Sequence, residues 1–275
     1  MKGMREERGS QTSNDERGER MKWARFFKDG RIHVAEVTAE GLRDEAGVLH
    51  AEEAIDTFLP PVVPGKIIGL ALNYADHAAE LGLAFPAEPV LFLKPPSSLI
   101  GHKAPVVYPD GATYMHYENE LAVVIGRTGR KIRRAEAFDY VLGYTIANDV
   151  TVRDFVNNFY RPPVRAKGHD TFGPLGPYLV TKDEIDDPHA LAVRTYVNGE
   201  LRQEGNTRDF LFKIDEIIEF VSSFMTLEPY DVILTGTPKG ISPVEPGDVM
   251  RLEIEGLGAL ENPIVDGRTK GGTDG

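Results

Sequence analysis

His116-Tyr117-Glu118-Asn119-Glu120-Leu121-Ala122-Val123-Val124-Ile125 places three ionisable side chains at alternate positions and then runs into five apolar residues. Residues two apart on a β-strand share a face, so the pattern predicts a strand over 120–125 with His116, Glu118 and Glu120 pointing the same way. Two carboxylates side by side repel, and burying them unpaired is expensive. A divalent cation answers both problems. The chain has no cysteine, so the ligation is all-oxygen and suits Mg²⁺, Mn²⁺ or Ca²⁺ rather than zinc. A solvated strand face would show the same alternation. A third acid narrows the choice: Leu142-Gly-Tyr-Thr-Ile-Ala-Asn-Asp149 reads as a strand that ends in Asn148-Asp149. Glu118, Glu120 and Asp149 together would leave three octahedral positions for water and substrate oxygens.

Outward from this stretch, further short strands are predicted at 67–72, 90–93, 141–147, 178–180, 193–198, 231–235 and 249–254. Residues 23–37 read as a hairpin turning at Lys28-Asp29-Gly30. Leu59-Pro60-Pro61-Val62-Val63-Pro64-Gly65 reads as a stiff link, which divides a small N-terminal β-rich module and linker (21–64) from a catalytic domain (65–267). One long helix is predicted, because Phe210, Leu211, Ile214, Ile217, Ile218, Val221 and Phe224 recur at helical spacing with Asp215, Glu216 and Glu219 opposite. Many short strands with few helices make an α+β fold.

The chain of 275 residues is 41% hydrophobic, enough for a sizeable core. Its 31 Lys and Arg against 43 Asp and Glu give a formal charge of −12. So acidic a surface repels phosphates and anionic lipid, and argues against nucleic-acid and membrane partners. Residues 1–20 hold only Met1 and Met4 as apolar side chains and read as a disordered tail. They lack the apolar core of a secretory signal, which predicts a cytoplasmic protein, and Met21 is a second candidate start. Residues 268–275 read as a second frayed tail.

Three more segments carry candidate chemistry. In Leu72-Asn-Tyr-Ala-Asp-His-Ala-Ala-Glu-Leu-Gly82, Asn73 is placed to cap a short helix, with Asp76 at its third position and Gly82 at its end. His77 and Glu80 then share a face, so that the carboxylate orients an imidazole for general-base work on a small lid. An exposed helical ion pair has the same spacing. In Arg161-Pro-Pro-Val-Arg165-Ala-Lys167, three cations within seven residues stand out in an acidic protein. They read either as a solvated basic loop or as an anion site, with the arginines forking onto substrate carboxylates and Lys167 stabilising an enolate. In Leu234-Thr-Gly-Thr-Pro-Lys-Gly240, the backbone and the hydroxyls of Thr235 and Thr237 could hold a carboxylate. The spacing excludes a phosphate loop, and no G-x-S-x-G is present.

Together these segments resemble the fumarylacetoacetate hydrolase family. The matching residues are Asn73-Tyr-Ala-Asp-His77, Phe92-x-Lys94-Pro95, His116-x-Glu118-x-Glu120, Asn148-Asp149-x-x-x-Arg153-Asp154, Lys167-x-x-Asp170-Thr171 with Gly173-Pro-Leu-Gly-Pro177, and Thr235-Gly-Thr-Pro238. They fall in the family's order between about residues 65 and 265. The resemblance implies a mixed β-sandwich or β-roll, a homodimer, and Mg²⁺ or Mn²⁺ on Glu118, Glu120 and Asp149. It also implies His77 and Glu80 as the lid dyad, Lys167 as the active-site lysine, and Tyr74 and Thr237 among the substrate-binding residues. Phe155-Val-Asn-Asn-Phe-Tyr-Arg-Pro-Pro-Val-Arg-Ala-Lys167 is similar to the isomerase/decarboxylase branch of homoprotocatechuate (4-hydroxyphenylacetate) breakdown. That branch implies ketonisation of 2-hydroxyhepta-2,4-diene-1,7-dioate, decarboxylation of 5-oxopent-3-ene-1,2,5-tricarboxylate, or both. A small 2-oxo or 2-hydroxy dicarboxylate would give Arg161 and Arg165 a distal carboxylate to bind. Acylpyruvate hydrolysis, oxaloacetate decarboxylation and non-catalytic binding of a 2-oxo acid stay open as alternatives.

Overall fold

A computed structural model describes residues 21–76, 85–156 and 162–267. Five strands come first among the described residues: β1 (Lys22–Lys28), β2 (Arg31–Thr38), β3 (Gly41–Asp44), β4 (Leu49–His50) and β5 (Thr57–Leu59). The predicted hairpin is β1–β2, and its turn residues Asp29 and Gly30 both take positive φ, as the right-handed twist of a tight hairpin requires. The body follows with β6 (Ile67–Ala71), β7 (Val90–Lys94), β8 (Leu99–Ile100), β9 (Val106–Tyr108), β10 (Met115–His116), β11 (Asn119–Ile125), β12 (Val141–Asn148) and β13 (Thr151–Val152). Next come the one-turn helix α1 (Val164–Lys167), β14 (Gly173–Thr181), β15 (Ala192–Val197), β16 (Glu200–Asn206), helix α2 (Ile214–Phe224), β17 (Val232–Leu234), β18 (Val249–Ile254) and β19 (Gly258–Asp266).

The strands form a twelve-stranded mixed sheet whose main path is β4-β3-β2-β1-β14-β12-β11-β17-β6-β7, a five-stranded sheet β16-β15-β18-β19-β9, and the pair β10-β13. With few helices, the fold is α+β. Strand β11 lies at its centre and is buried along its whole length. Alternation sends Leu121, Val123 and Ile125 into the large core shared with β15, β18 and α2, while Ala122 and Val124 enter a smaller core with Ile67, Leu175 and Leu234. The first five strands enclose their own cluster around Phe26, Leu42 and Phe58. Strand β1 also pairs with β14, with Trp23 opposite Leu179, so the N-terminal strands continue the body's sheet.

Several sequence expectations need adjustment. Helix α2 begins at Ile214, not at Phe210. Residues 207–209 form a 3₁₀ turn instead, and Glu216 accepts from the Lys213 backbone N–H at 2.8 Å to start the helix there. Strand β14 is much longer than residues 178–180. It takes in Pro174 and Pro177, and near Pro177 the β12–β14 register slips between Tyr144 and Ile146, the kind of irregularity at which a sheet tolerates proline. The helix that Asn73 is expected to cap runs into residues 77–84, outside the described residues. The Asn73 side chain accepts from the Phe212 N–H at 2.8 Å and donates to the carbonyls of Thr235 at 2.9 Å and Phe212 at 3.2 Å, tying β6, β17 and the approach to α2 together.

Candidate active site

His116 and Glu120 do not lie on one continuous strand. The chain breaks at Tyr117-Glu118, between β10 and β11. At this break the fully buried phenol of Tyr117 takes part in hydrogen bonding with the Gly240 carbonyl and Ser242, each at 2.8 Å. Across the β11–β12 ladder Asn119 faces Asn148. Asp149 therefore emerges beside Glu118, with its N–H donating to the Glu118 carbonyl at 3.0 Å. The Asn148 side chain closes the link by accepting from the Glu118 N–H at 3.0 Å. Glu118, Glu120 and Asp149 thus converge, each offering an oxygen within 4.8 Å of the others. They are 7%, 1% and 0% exposed.

Two ammonium groups meet them. Lys167, at the end of α1, donates to Glu118 at 2.7 Å, to Thr151 Oγ1 at 2.8 Å, and to Asp149. Lys94, at the end of β7, donates to the other Asp149 oxygen at 2.6 Å and to the Lys167 carbonyl. Lys94 entered the sequence reading only within the matching motif Phe92-x-Lys94-Pro95, with no role at the site. A lone lysine closing a strand reads as solvent-facing, yet it is only 3% exposed.

Three carboxylates against two ammoniums leave one negative charge in excess. The strain of that excess falls on Glu120: burial, then the charges of Asp149 and Glu118, push its carboxyl well above the usual range and favour its protonated form, although Gly236 N–H donates to it at 2.7 Å. Burial also opposes the Glu118 charge, but Lys167, His116 and Arg153 outweigh it and hold that carboxyl low. Lys167 moves the other way, since Asp149 and Glu118 overcome its burial and raise it. Burial dominates at Lys94 and lowers it. His116, fully buried, is held down to about 4 by desolvation and is a neutral imidazole near neutral pH. An all-oxygen set with one acid more than its lysines can pair, and a lysine ammonium already seated between two of its members, fits a divalent cation.

The remaining candidates divide. Thr237 is 4% exposed and accepts from Gln203 Nε2 at 2.9 Å, in the loop whose Gly236 bonds Glu120. Tyr74 is 1% exposed and packs edge-on against Phe210. Its hydroxyl has no partner among the described residues, and burial followed by the Glu120 charge keeps the phenol protonated. Arg165 is exposed, with its guanidinium 3.8 Å from the centre of the Phe155 ring. His77, Glu80 and Arg161 lie outside the described residues.

The sequence profile described as fumarylacetoacetate (FAA) hydrolase C-terminal matches residues 66–265. The chain belongs to the fumarylacetoacetate hydrolase family. Within that family it is 49% identical over 233 residues to the 4-hydroxyphenylacetate degradation bifunctional isomerase/decarboxylase of Salmonella dublin, covering 83% of this chain and 54% of that one. The chain therefore spans about half the length of that relative. Two solved structures match nearly end to end. The 5-carboxymethyl-2-hydroxymuconate delta-isomerase of Mycobacterium smegmatis is 40% identical with a TM-score of 0.80, covering 90% of this chain and 99% of that one. The 2-hydroxyhepta-2,4-diene-1,7-dioate isomerase of Mycobacterium marinum is 36% identical with a TM-score of 0.78, at the same coverages. Among the described residues, no helix is long and apolar enough to cross a membrane.

Proposed function

We propose that this protein is a divalent-metal-dependent enzyme that ketonises 2-hydroxyhepta-2,4-diene-1,7-dioate, and that decarboxylation of 5-oxopent-3-ene-1,2,5-tricarboxylate is the second reaction its site can host. The observation that carries the reading is the buried convergence of Glu118, Glu120 and Asp149, one acid more than Lys94 and Lys167 can pair. Isomerisation is placed first because the chain spans two isomerase structures nearly whole but only about half of the bifunctional relative.

In this reading Mg²⁺ or Mn²⁺ is held by the three carboxylates and supplies a Lewis acid for the 2-oxo acid end of the substrate. Lys167 sets a fixed positive charge beside the developing enolate oxygen. Lys94 is a positioning residue, since it grips both Asp149 and the backbone carbonyl of Lys167. Gly236 N–H orients Glu120. Gln203 occupies the Thr237 hydroxyl as an acceptor and leaves its proton to donate to substrate. Tyr74, kept protonated, is a second donor. His77, oriented by Glu80, is assigned the proton transfer from its sequence spacing, because an unperturbed imidazole titrates near neutrality. Arg161 and Arg165 are assigned the distal carboxylate. The enzyme is proposed to work as a cytoplasmic homodimer on a free small molecule.

The test is the ultraviolet absorbance of 2-hydroxyhepta-2,4-diene-1,7-dioate with the protein and Mg²⁺, then with EDTA. Loss of the diene band that stops on chelation and resumes with fresh Mg²⁺ is expected. A stable band, with turnover of an acylpyruvate instead, would keep the site and overturn the substrate.

A further inference from the structure

Outside this site, the N-terminal strands hold a second convergence of metal-ligating side chains. Strand pairing sets Ala35 opposite Asp44 and Leu42 opposite His50. His33, two residues from Ala35, and Asp44, two from Leu42, therefore turn to the same inner face as His50. His33 Nδ1 lies 3.1 Å and His50 Nε2 3.0 Å from the same oxygen, Asp44 Oδ2. The three residues are 6%, 7% and 8% exposed. The Phe26 ring stacks on His33 and meets His50 edge-on, fixing both imidazole planes.

We propose that His33, Asp44 and His50 form a transition-metal site of the Zn²⁺ class, distinct from the carboxylate cluster and structural in role. Two imidazoles and one carboxylate are the donors a borderline ion such as Zn²⁺ or Co²⁺ prefers, whereas Mg²⁺ and Mn²⁺ favour oxygen alone. The geometry is close to what such an ion needs. Ligands at ~2.0 Å around a tetrahedral ion sit about 3.3 Å apart and put two imidazole centres about 5 Å apart; the His33 and His50 centres are 5.0 Å apart. The other Asp44 oxygen accepts from Ala46 N–H at 3.0 Å and Val48 N–H at 2.9 Å, so the carboxylate is already aimed. The sheet preassembles all three ligands, and little chain entropy remains to be lost on binding.

Without an ion the same atoms form hydrogen bonds, both rings donating to Asp44. Binding replaces those two N–H···O bonds with metal bonds, and each ring proton moves to the other nitrogen of its ring. The Arg31 Nε–H, which now donates to His33 Nε2 at 3.2 Å, must then turn away. Arg31 is exposed, so its guanidinium acts as a mild brake on metal uptake.

The experiment uses the full chain, stripped with EDTA and returned to saturating Mg²⁺ to fill the carboxylate site. Co²⁺ is then titrated by visible absorbance, and Zn²⁺ by bound-metal analysis and Tm. Expected are one equivalent of Co²⁺ with tetrahedral bands, displacement by Zn²⁺, and a Tm that rises with Zn²⁺. His50→Gln keeps a donor for Asp44 and should lose all three signals while Mg²⁺-dependent turnover is unchanged. His33→Gln is the second variant should that one fail to fold. Arg31→Gln should tighten Co²⁺ binding roughly tenfold, the scale of a partner to a metal-bound histidine. No Co²⁺ uptake by the wild type, or uptake and Tm response equal in wild type and the glutamine variants, would overturn the site and leave a hydrogen-bonded core cluster. Because none of these signals depends on turnover, they stand apart from the test of the proposed reaction.

Discussion

The two buried clusters of this protein solve the same problem in opposite ways. Glu118, Glu120 and Asp149 are over-supplied with negative charge, and even with Lys94 and Lys167 against them Glu120 is driven towards its protonated form. Around Asp44, one carboxylate is matched by two imidazoles and two backbone N–H groups. The first arrangement is costly until a cation arrives. The second is complete as hydrogen bonds, so an ion there would replace bonds that already exist. Unresolved charge marks the place for chemistry, and resolved charge marks the place for structure.

The largest expected effects test the first half of that contrast. Glu118→Ala or Asp149→Ala should lower kcat/KM by about a thousandfold or more, since each removes a proposed metal ligand and a partner of Lys167. Steady-state rates on the hydroxydienedioate measure this, and turnover within tenfold of wild type would remove the acids from the mechanism. Asp149→Ala should also lower stability by about 3–5 kcal/mol in denaturant titration, because it leaves Lys94 buried without its carboxylate.

Lys94→Met sharpens the contrast from the cationic side. It should cost about 10–100-fold in Mg²⁺ affinity or turnover, the scale of a residue that orients a ligand. Turnover measured against Mg²⁺ concentration separates the two quantities. Unchanged values would reduce Lys94 to packing.

The smallest effect concerns an imidazole with no carboxylate. His102 accepts from the Glu261 N–H at 3.0 Å, and burial, then Lys103 and Arg251, push it down to about 4. A depressed native pKa means that the stabilisation is full above the ordinary value of about 6.5 and is lost as the pH falls through about 4. Wild-type Tm should therefore fall across that window, and His102→Gln should flatten the fall. A slope unaltered in His102→Gln would assign the acid sensitivity elsewhere.

The carboxylate triad was legible because its members are close in sequence or end a strand, and alternation alone puts Glu118 and Glu120 near each other. Lys94 was not, since nothing local distinguishes a buried lysine from an exposed one. Asn73 reads as a cap because capping is the local option for asparagine, and its three backbone partners around Phe212 and Thr235 lie too far along the chain to be read from local order. His33, Asp44 and His50 are spread over 18 residues of ordinary hairpin sequence, and only the β2–β3–β4 register gathers them.

By itself the sequence determined the strand-rich class, the acidic balance, the order of the family's motifs and the all-oxygen character of the main site, because composition and period are properties of the chain. The tertiary structure alone decided which cation meets which acid, that Glu120 is the acid driven towards protonation, and that two histidines share one carboxylate. Those outcomes depend on distances between residues far apart in sequence and on the loss of water around them, and neither is written in local order.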